Sequence, residues 1–286
     1  MRLYILVDAS YVCFFRYHAL IQWWRNAKPE QQLEVPIENE EFVTKFREIF
    51  VSKLKELPIK VAKLLAPEGV KMTNAKFKEL FDTVMWVGRD CRRQEIWRME
   101  LYPKYKATRD YSNFQGGPLF QIAYSEQLFE KGGADFVMKA PHLEADDCIA
   151  MAVEQIRTNE PDAMIVIIAS DHDYLQLTSP TVRLVDLKYT DVSAKKGFLC
   201  DPRRELFNKT LMGDTSDNIP AAFPKCGPKT AERCYTDVEY MKKQLDKHEG
   251  SREQLALNAR LIDMKHIPRH LTAGLINDIK MQLGLN

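Results

Sequence analysis

Residues 164–173 read MIVIIASDHD. Met164–Ala169 is an unbroken apolar run rich in β-branched side chains, the pattern of a strand buried on both faces of a parallel sheet. It ends on Ser170 and Asp171, with Asp173 two residues on. The same grammar recurs upstream. Leu3–Val7 is an apolar run that ends on Asp8, and Thr83–Val87 is another, with Asp90 just beyond it. Asp135–Lys139 and Val182–Asp186 read as two further short strands. Helical patterns lie between them. Asn39 caps a helix that carries Phe42, Phe46, Ile49, Phe50, Leu54 and Leu57 on one face; Pro58 and then Pro67-Glu-Gly69 end it. Arg89–Asp110 reads as a charged helical stretch, residues 112–118 (SNFQGGP) as a flexible break before a helix to Glu130, and Leu143–Ile156 as a helix. This alternation predicts an α/β fold: a mostly parallel central sheet with helices on both faces. From Asp201 the pattern is helical only. The expectation is a core over 1–200 and a helical region over 201–286, packed together as one continuous unit.

The chain has 286 residues, with 41 Lys+Arg against 40 Asp+Glu. A net charge of +1 argues at first sight against a polyanionic partner, which usually meets a basic excess. A 45% hydrophobic fraction can fill a core and excludes a disordered chain. No apolar run approaches the ~18–20 residues a bilayer requires. Met1–Asp8 meets a carboxylate too soon for a signal peptide and reads as a strand. The cysteines at 13, 91, 148, 200, 226 and 234 form no C-x-x-C pair, which points to reduced thiols in an intracellular compartment. The histidines are dispersed and form no H-E-x-x-H, so zinc hydrolysis has little support.

In open α/β sheets, ligands bind beyond the carboxyl ends of the strands. Asp8, Asp90, Asp171 and Asp173 fall there. Glu144-Ala-Asp146-Asp147 and Asp214-Thr-Ser-Asp217 add two acidic clusters, each with members three apart, the spacing of one helix face. Gathered carboxylates repel and raise one another's pKa, a penalty that a hard divalent cation removes. All-oxygen ligation favours Mg²⁺, with Mn²⁺ able to substitute. More carboxylates than one ion needs suggest two ions, which cleave phosphodiesters together from about 3.5–4 Å apart. Taken singly, each acid also has a plainer reading as a helix cap or surface charge.

The motifs run in a fixed order. Strand-Asp8 is followed by Glu100-Leu-Tyr-Pro-Lys-Tyr105-Lys106-Ala-Thr-Arg109, then Leu143–Asp147, then Ser170–Leu177. Gly213-Asp214-Thr-Ser-Asp217-Asn-Ile-Pro220 and Gly227-Pro228-Lys229-Thr230-Ala231 complete the set. Over nearly its whole length the chain resembles the 5′-nuclease (flap endonuclease) superfamily, which includes phage 5′-exonucleases and the 5′-nuclease domain of bacterial DNA polymerase I. The resemblance implies a PIN-like 5′-nuclease fold with a helical arch at about residues 105–140, its flexible crown at Gly116-Gly117-Pro118. It also implies a helix-3-turn-helix DNA-binding element over Ile219–Ala231. Asp8, Asp90, Glu144, Asp146, Asp147 and Asp171 would gather around a first metal, and Asp173, Asp214 and Asp217 around a second. Lys106 and Arg109 would contact the scissile phosphate, and Tyr105 would lie beside a substrate base. Lys225, Gly227, Lys229 and Thr230 would meet duplex phosphates, with a K⁺ ion bridging, and Arg93 and Arg98 would add basic DNA contacts. The hairpin Ala221–Gly227 departs from the family pattern in having one extra residue and only its last glycine, and a non-Gly residue resists positive φ.

The implied activity is a Mg²⁺-dependent, structure-selective 5′-nuclease acting near single-strand/duplex junctions of DNA in replication or repair, leaving 5′-phosphates. It would work as a monomer, with replication proteins as potential partners. Two alternatives stay open: a non-catalytic DNA-binding relative, and the same chemistry on RNA in RNA–DNA hybrids. Residues 23–69 carry no functional assignment; Trp23 and Trp24 suit either core packing or a grip on the duplex. The charge balance now reads differently. With nine acids set aside for metal, 31 acids face 41 bases, which suits a basic surface around an acidic pocket.

Overall fold

A computed structural model describes residues 1–66, 71–194 and 201–285. Its strands are β1 (Arg2–Asp8), β2 (Asp82–Gly88), β3 (Phe136–Met138), β4 (Met164–Ile168) and β5 (Val182–Val185). They form one sheet in the order β3-β2-β1-β4-β5, and every pairing is parallel. Val7 stands level with Val87 on one side and Ile168 on the other. The three central strands therefore end together, and Asp8, Asp90 and Asp171 follow at one edge.

Alternate residues of β1 serve opposite faces, as strand geometry requires. Leu3, Ile5 and Val7 pack with α1 (Ala9–Ala27) and α2 (Glu40–Leu65), joined by α3 (Asn74–Leu80) beside them. Tyr4 and Leu6 face the other layer. Between β2 and β3 come α4 (Trp97–Leu101), α5 (Gly117–Ser125) and α6 (Leu128–Lys131), and between β3 and β4 comes α7 (Ala145–Asn159). The chain then continues through α8 (Pro202–Met212), α9 (Pro228–Thr236), α10 (Val238–Lys247), α11 (Ser251–Ile262) and α12 (Arg269–Gln282). Buried side chains of α8, α9 and α10 make a separate small core around Leu211, Ala231 and Leu245. Leu275 and Ile279 of α12 return to pack with α7. Among the described residues no helix is long and apolar enough to cross a membrane.

Several expectations change. Asn39 does cap α2, accepting from Phe42 N at 2.9 Å, but the helix runs through Pro58 to Leu65. Phe50, Leu54, Leu57 and Val61 are all buried along that stretch, and this packing offsets the ~3 kcal/mol an internal proline costs. Pro67-Glu-Gly69 and Cys200 lie outside the described residues. Arg89–Asp110 is not one charged helix. It holds a 3₁₀ turn at Arg93–Glu95, the short α4, and turns through Thr108. Pro103 pushes Tyr102 out of helical conformation, to φ −143° and ψ 92°. Within residues 105–140, Gly116 and Gly117 begin α5 instead of forming a free crown, and Leu119, Ala123, Leu128 and Phe129 are buried with α1 and α2. Gln127, at φ 54°, separates α5 from α6. The two tryptophans divide: Trp24 is buried and donates to the Gln31 carbonyl, while Trp23 is exposed.

Candidate functional site

The acids converge where the central strands end. Asp8 caps α1, accepting from Tyr11 N at 2.9 Å and from the Tyr174 hydroxyl at 2.9 Å. Asp90 accepts from Ala145 N at 2.8 Å and from the Ser10 hydroxyl, so β2 is tied to the first turn of α7. Burial, with the charges of Asp90 and Asp171 added, pushes the Asp8 carboxyl up to about 7. Burial and the neighbouring Asp147 push Asp146 well above the carboxylate range. Crowding that raises carboxyls in this way is a penalty that a divalent cation would remove.

Glu144 and Asp147 close a capping box at the start of α7, with Glu144 N donating to Asp147 Oδ2 at 3.0 Å. Carboxylate oxygens of Glu144, Asp146 and Asp147 lie within 4.8 Å of one another. Burial alone would raise Glu144, yet Lys106 and Arg98 hold it below its ordinary value. The plain capping reading and the clustering reading of E-A-D-D are thus both realised by the same residues.

Asp173, Asp214 and Asp217 form the second such group, again with oxygens within 4.8 Å. Asp214 and Asp217 do not share a helix face as their spacing suggested. They sit in a tight turn closed by Asp214 N to Ile219 O at 2.8 Å and Ile219 N to Asp214 O at 2.7 Å. Asp214 also accepts from Ser216 N at 2.8 Å. Gly213 enters this turn at φ 70°, where an added Cβ would stand 2.3 Å from the Ile219 carbonyl oxygen. Asp171, exposed at the strand end, accepts from Asp173 N at 3.0 Å and so aims Asp173 at the group.

Tyr105 and Lys106 link the two groups. The Tyr105 hydroxyl lies 3.1 Å from Glu144 Oε2 and 3.0 Å from Asp217 Oδ2. Lys106 Nζ contacts Glu144 and lies 3.8 Å from Asp217. Arg109 pairs with Asp217 at 2.5 Å. Lys106 and Arg109 reach the pocket from a turn, with Lys106 at φ 55°, not from one helix face. The turn is pinned by Lys106 N donating to the Asp217 carbonyl at 2.9 Å. Tyr105 is 2% exposed, so its ring has no free face for a base; its hydroxyl is the part that meets the site.

Arg98 is not a surface base for DNA either. It is 2% exposed and out of reach of DNA. Its Nη2 and Nη1 hold Asp147 Oδ1 and Oδ2 at 2.7 and 2.9 Å, and its Nε donates to the Leu261 carbonyl at 2.8 Å. Trp97 Nε1 donates to Asp147 Oδ2 at 2.9 Å. Both Asp147 oxygens are therefore already bonded. Arg93 is exposed and braces the turn, donating to the carbonyls of Lys106 and Arg109. Farther out, Lys225 and Lys229 are exposed around the N-terminus of α9, which Gly227 caps; Thr230 Oγ1 lies 3.5 Å from the Lys225 carbonyl. Lys225 adopts φ 61° despite its side chain.

Sequence reasoning missed Ser10, Trp97, Tyr174 and Lys209. Lys209 Nζ contacts Asp173 and lies 2.8 Å from Asp214 Oδ2. Burial would raise Asp214, but Lys209 brings it down to about 2. No local signal marks these residues except the position of Tyr174 directly after Asp173.

Comparison with known proteins places the chain in a family. Residues 3–201 match the model of the 5′-3′ exonuclease, N-terminal resolvase-like domain. The chain is 30% identical over 209 residues to DNA polymerase I of Rhizobium leguminosarum, covering 67% of this chain and 19% of that protein. It is 29% identical over 150 residues to the flap endonuclease Xni of Vibrio parahaemolyticus, covering 50% of this chain and 54% of that one. The chain spans 14% to 23% of the length of the polymerase relatives it matches. Its fold matches the crystal structure of the bacteriophage T5 flap endonuclease in a pseudo-enzyme–product complex with DNA and metal ions, with a TM-score of 0.61 and 17% identity, covering 98% of both chains. With the family model spanning most of its length and the acids of its motifs gathered at one sheet edge, the chain belongs to the 5′-3′ exonuclease family.

Proposed function

We propose that the chain is a divalent-metal-dependent 5′-nuclease that cuts DNA near single-strand/duplex junctions. The observation that carries this reading is the pair of carboxylate groups at the sheet edge, joined by Tyr105 and Lys106. The donor set is oxygen only, which fits Mg²⁺ or Mn²⁺. Asp8, Asp90, Glu144, Asp146 and Asp171 would hold one ion, and Asp173, Asp214 and Asp217 the other. Asp147 would keep α7 in place, since its oxygens are taken by Arg98 and Trp97. When bound, the ions would activate water and neutralise charge on the scissile phosphate.

Lys106 and Arg109 lie against Glu144 and Asp217 and would orient the phosphate once metal relieves these carboxylate partners. Lys225, Lys229 and the backbone N–H groups at the start of α9 suit duplex phosphates, in the manner of a helix-3-turn-helix element. Contacts of these kinds read backbone shape, so cleavage would follow structure, not base sequence. The related flap endonucleases support a 5′ flap as substrate, and the T5 complex supports DNA. The test is cleavage of labelled DNA and RNA flaps with Mg²⁺ and with EDTA. Mg²⁺-dependent cutting of DNA at the junction supports the proposal. Preference for the RNA flap would redirect the substrate, and binding without cutting would favour a non-catalytic relative.

A further inference from the structure

We propose that Lys209 is a tethered competitor for the second cation, an ammonium that occupies the Asp173–Asp214 site and must leave when a divalent ion arrives. This inference rests on the metal-dependent reading above. Lys209 sits in the last turn of α8, and its Nζ bridges Asp173 and Asp214, two of the three acids whose oxygens cluster there. An ion held by these acids would stand among the same oxygens, so ammonium and ion exclude one another by charge and by space.

The backbone of α8 has little freedom to yield. Arg204 pairs with Glu232, the Thr210 carbonyl accepts from Asn258 Nδ2 at 2.9 Å, and Gly213 N donates to the Lys209 carbonyl at 2.8 Å. The long lysine stem is the part that moves. It has somewhere to go: a cavity of about 380 Å³ adjoins it, lined by His172, Asp173, Glu205, Met212 and Asp214 among others. Glu205 lies four residues before Lys209 on the same helix, and Glu placed N-terminal to Lys at this spacing is the favourable order for a helical ion pair. On this proposal Lys209 exchanges between two positions: across Asp173 and Asp214, as seen, or turned into the adjoining cavity on the side of Glu205. In the first it neutralises the acids and keeps the apo site assembled; in the second it lies beside the site and leaves the acids to the ion.

The test is Mn²⁺ binding to the full chain, followed by electron paramagnetic resonance and calorimetry, for wild type, Lys209→Met and Glu205→Gln. The proposal expects wild type to bind a tighter and a weaker ion. Lys209→Met should tighten the weaker one by at least about tenfold, the effect of removing a close opposing charge. Glu205→Gln should weaken the same ion, and should lose that effect in the Lys209→Met background. These opposite signs keep the test decisive if either variant is less stable. Two bound ions with unchanged affinities in both variants would overturn the role of Lys209 while leaving the metal centre intact. Absence of Mn²⁺ binding in every variant would overturn the metal-dependent reading and this inference with it.

Discussion

Arg98 holds Asp147 at two points, Nη2 to Oδ1 at 2.7 Å and Nη1 to Oδ2 at 2.9 Å, and both residues are almost wholly buried. The same guanidinium reaches Glu144 Oε2 at 2.9 Å and the Leu261 carbonyl, so one side chain ties α4, α7 and the end of α11. Removing it leaves the buried Asp147 without a cation, held only by Trp97 and the Glu144 backbone N–H, and leaves Glu144 to Lys106 and Tyr105. Arg98→Ala should cost about 3–5 kcal/mol in urea unfolding, the range for breaking a buried pair from one side. Arg98→Lys should recover only part of this, because an ammonium cannot span both oxygens in the plane of the carboxylate.

Tyr105→Phe tests the link between the acid groups. The ring keeps its place beside Ile96, Ile219 and Leu261, and only the hydroxyl between Glu144 and Asp217 is lost. Unfolding should report a loss of about 0.5–1.5 kcal/mol. Cleavage should slow more than Mg²⁺ binding weakens, since the metal ligands themselves remain.

The raised Asp8 carboxyl sets a pH dependence. Its folded value, about 7, lies above the ordinary 3.8, so the folded state binds this proton more tightly than the unfolded chain. Its contribution to stability is full below pH 4 and is lost as pH rises to 7. In EDTA, melting temperature should therefore fall across that window, and Asp8→Asn should flatten the fall. Mg²⁺ binds the ionised form, so it should raise the melting point most above pH 7 and lose affinity below it.

Much of this architecture is legible because both faces of the sheet are covered. Strands buried on two sides become apolar runs, so Leu3–Val7, Thr83–Val87 and Met164–Ala169 declare themselves, and the acids after them mark the edge. What stays hidden depends on partners distant in sequence. Arg98 sits in a charged stretch and looks like a surface base; its burial is set by a carbonyl 163 residues away. The conformation of Lys106 is set by its backbone bond to Asp217, not by its neighbours. The second layer around α1 is obscured because aromatic residues lie on several sides of the helix: Tyr17 and Trp24 face the core, while Phe14 meets Phe114 and Phe120. Lys209 carries no signal at all.

Gly88 offers a check on how closely the sheet edge and α7 must approach. An added Cβ there would stand 2.7 Å from the Ala145 carbonyl oxygen and 2.9 Å from Ile149 Cγ1. Gly88→Ala should destabilise by about 1–3 kcal/mol, the range for overpacking. It should also weaken Mg²⁺ binding, because α7 carries Glu144 and Asp146 with it. A thermal melt and a Mg²⁺ titration of the variant check both effects.

A metal-dependent nuclease built on the gathered carboxylates must lose cleavage with the metal and with its ligands. The most direct test compares wild type with Asp146→Asn on a 5′-labelled DNA flap, with Mg²⁺ or EDTA, alongside flap binding. The expected result is Mg²⁺-dependent cleavage that yields 5′-phosphate ends, a fall of roughly a hundredfold or more in Asp146→Asn, and retained binding. Cleavage that persists in EDTA, or that survives undiminished in Asp146→Asn, would contradict it.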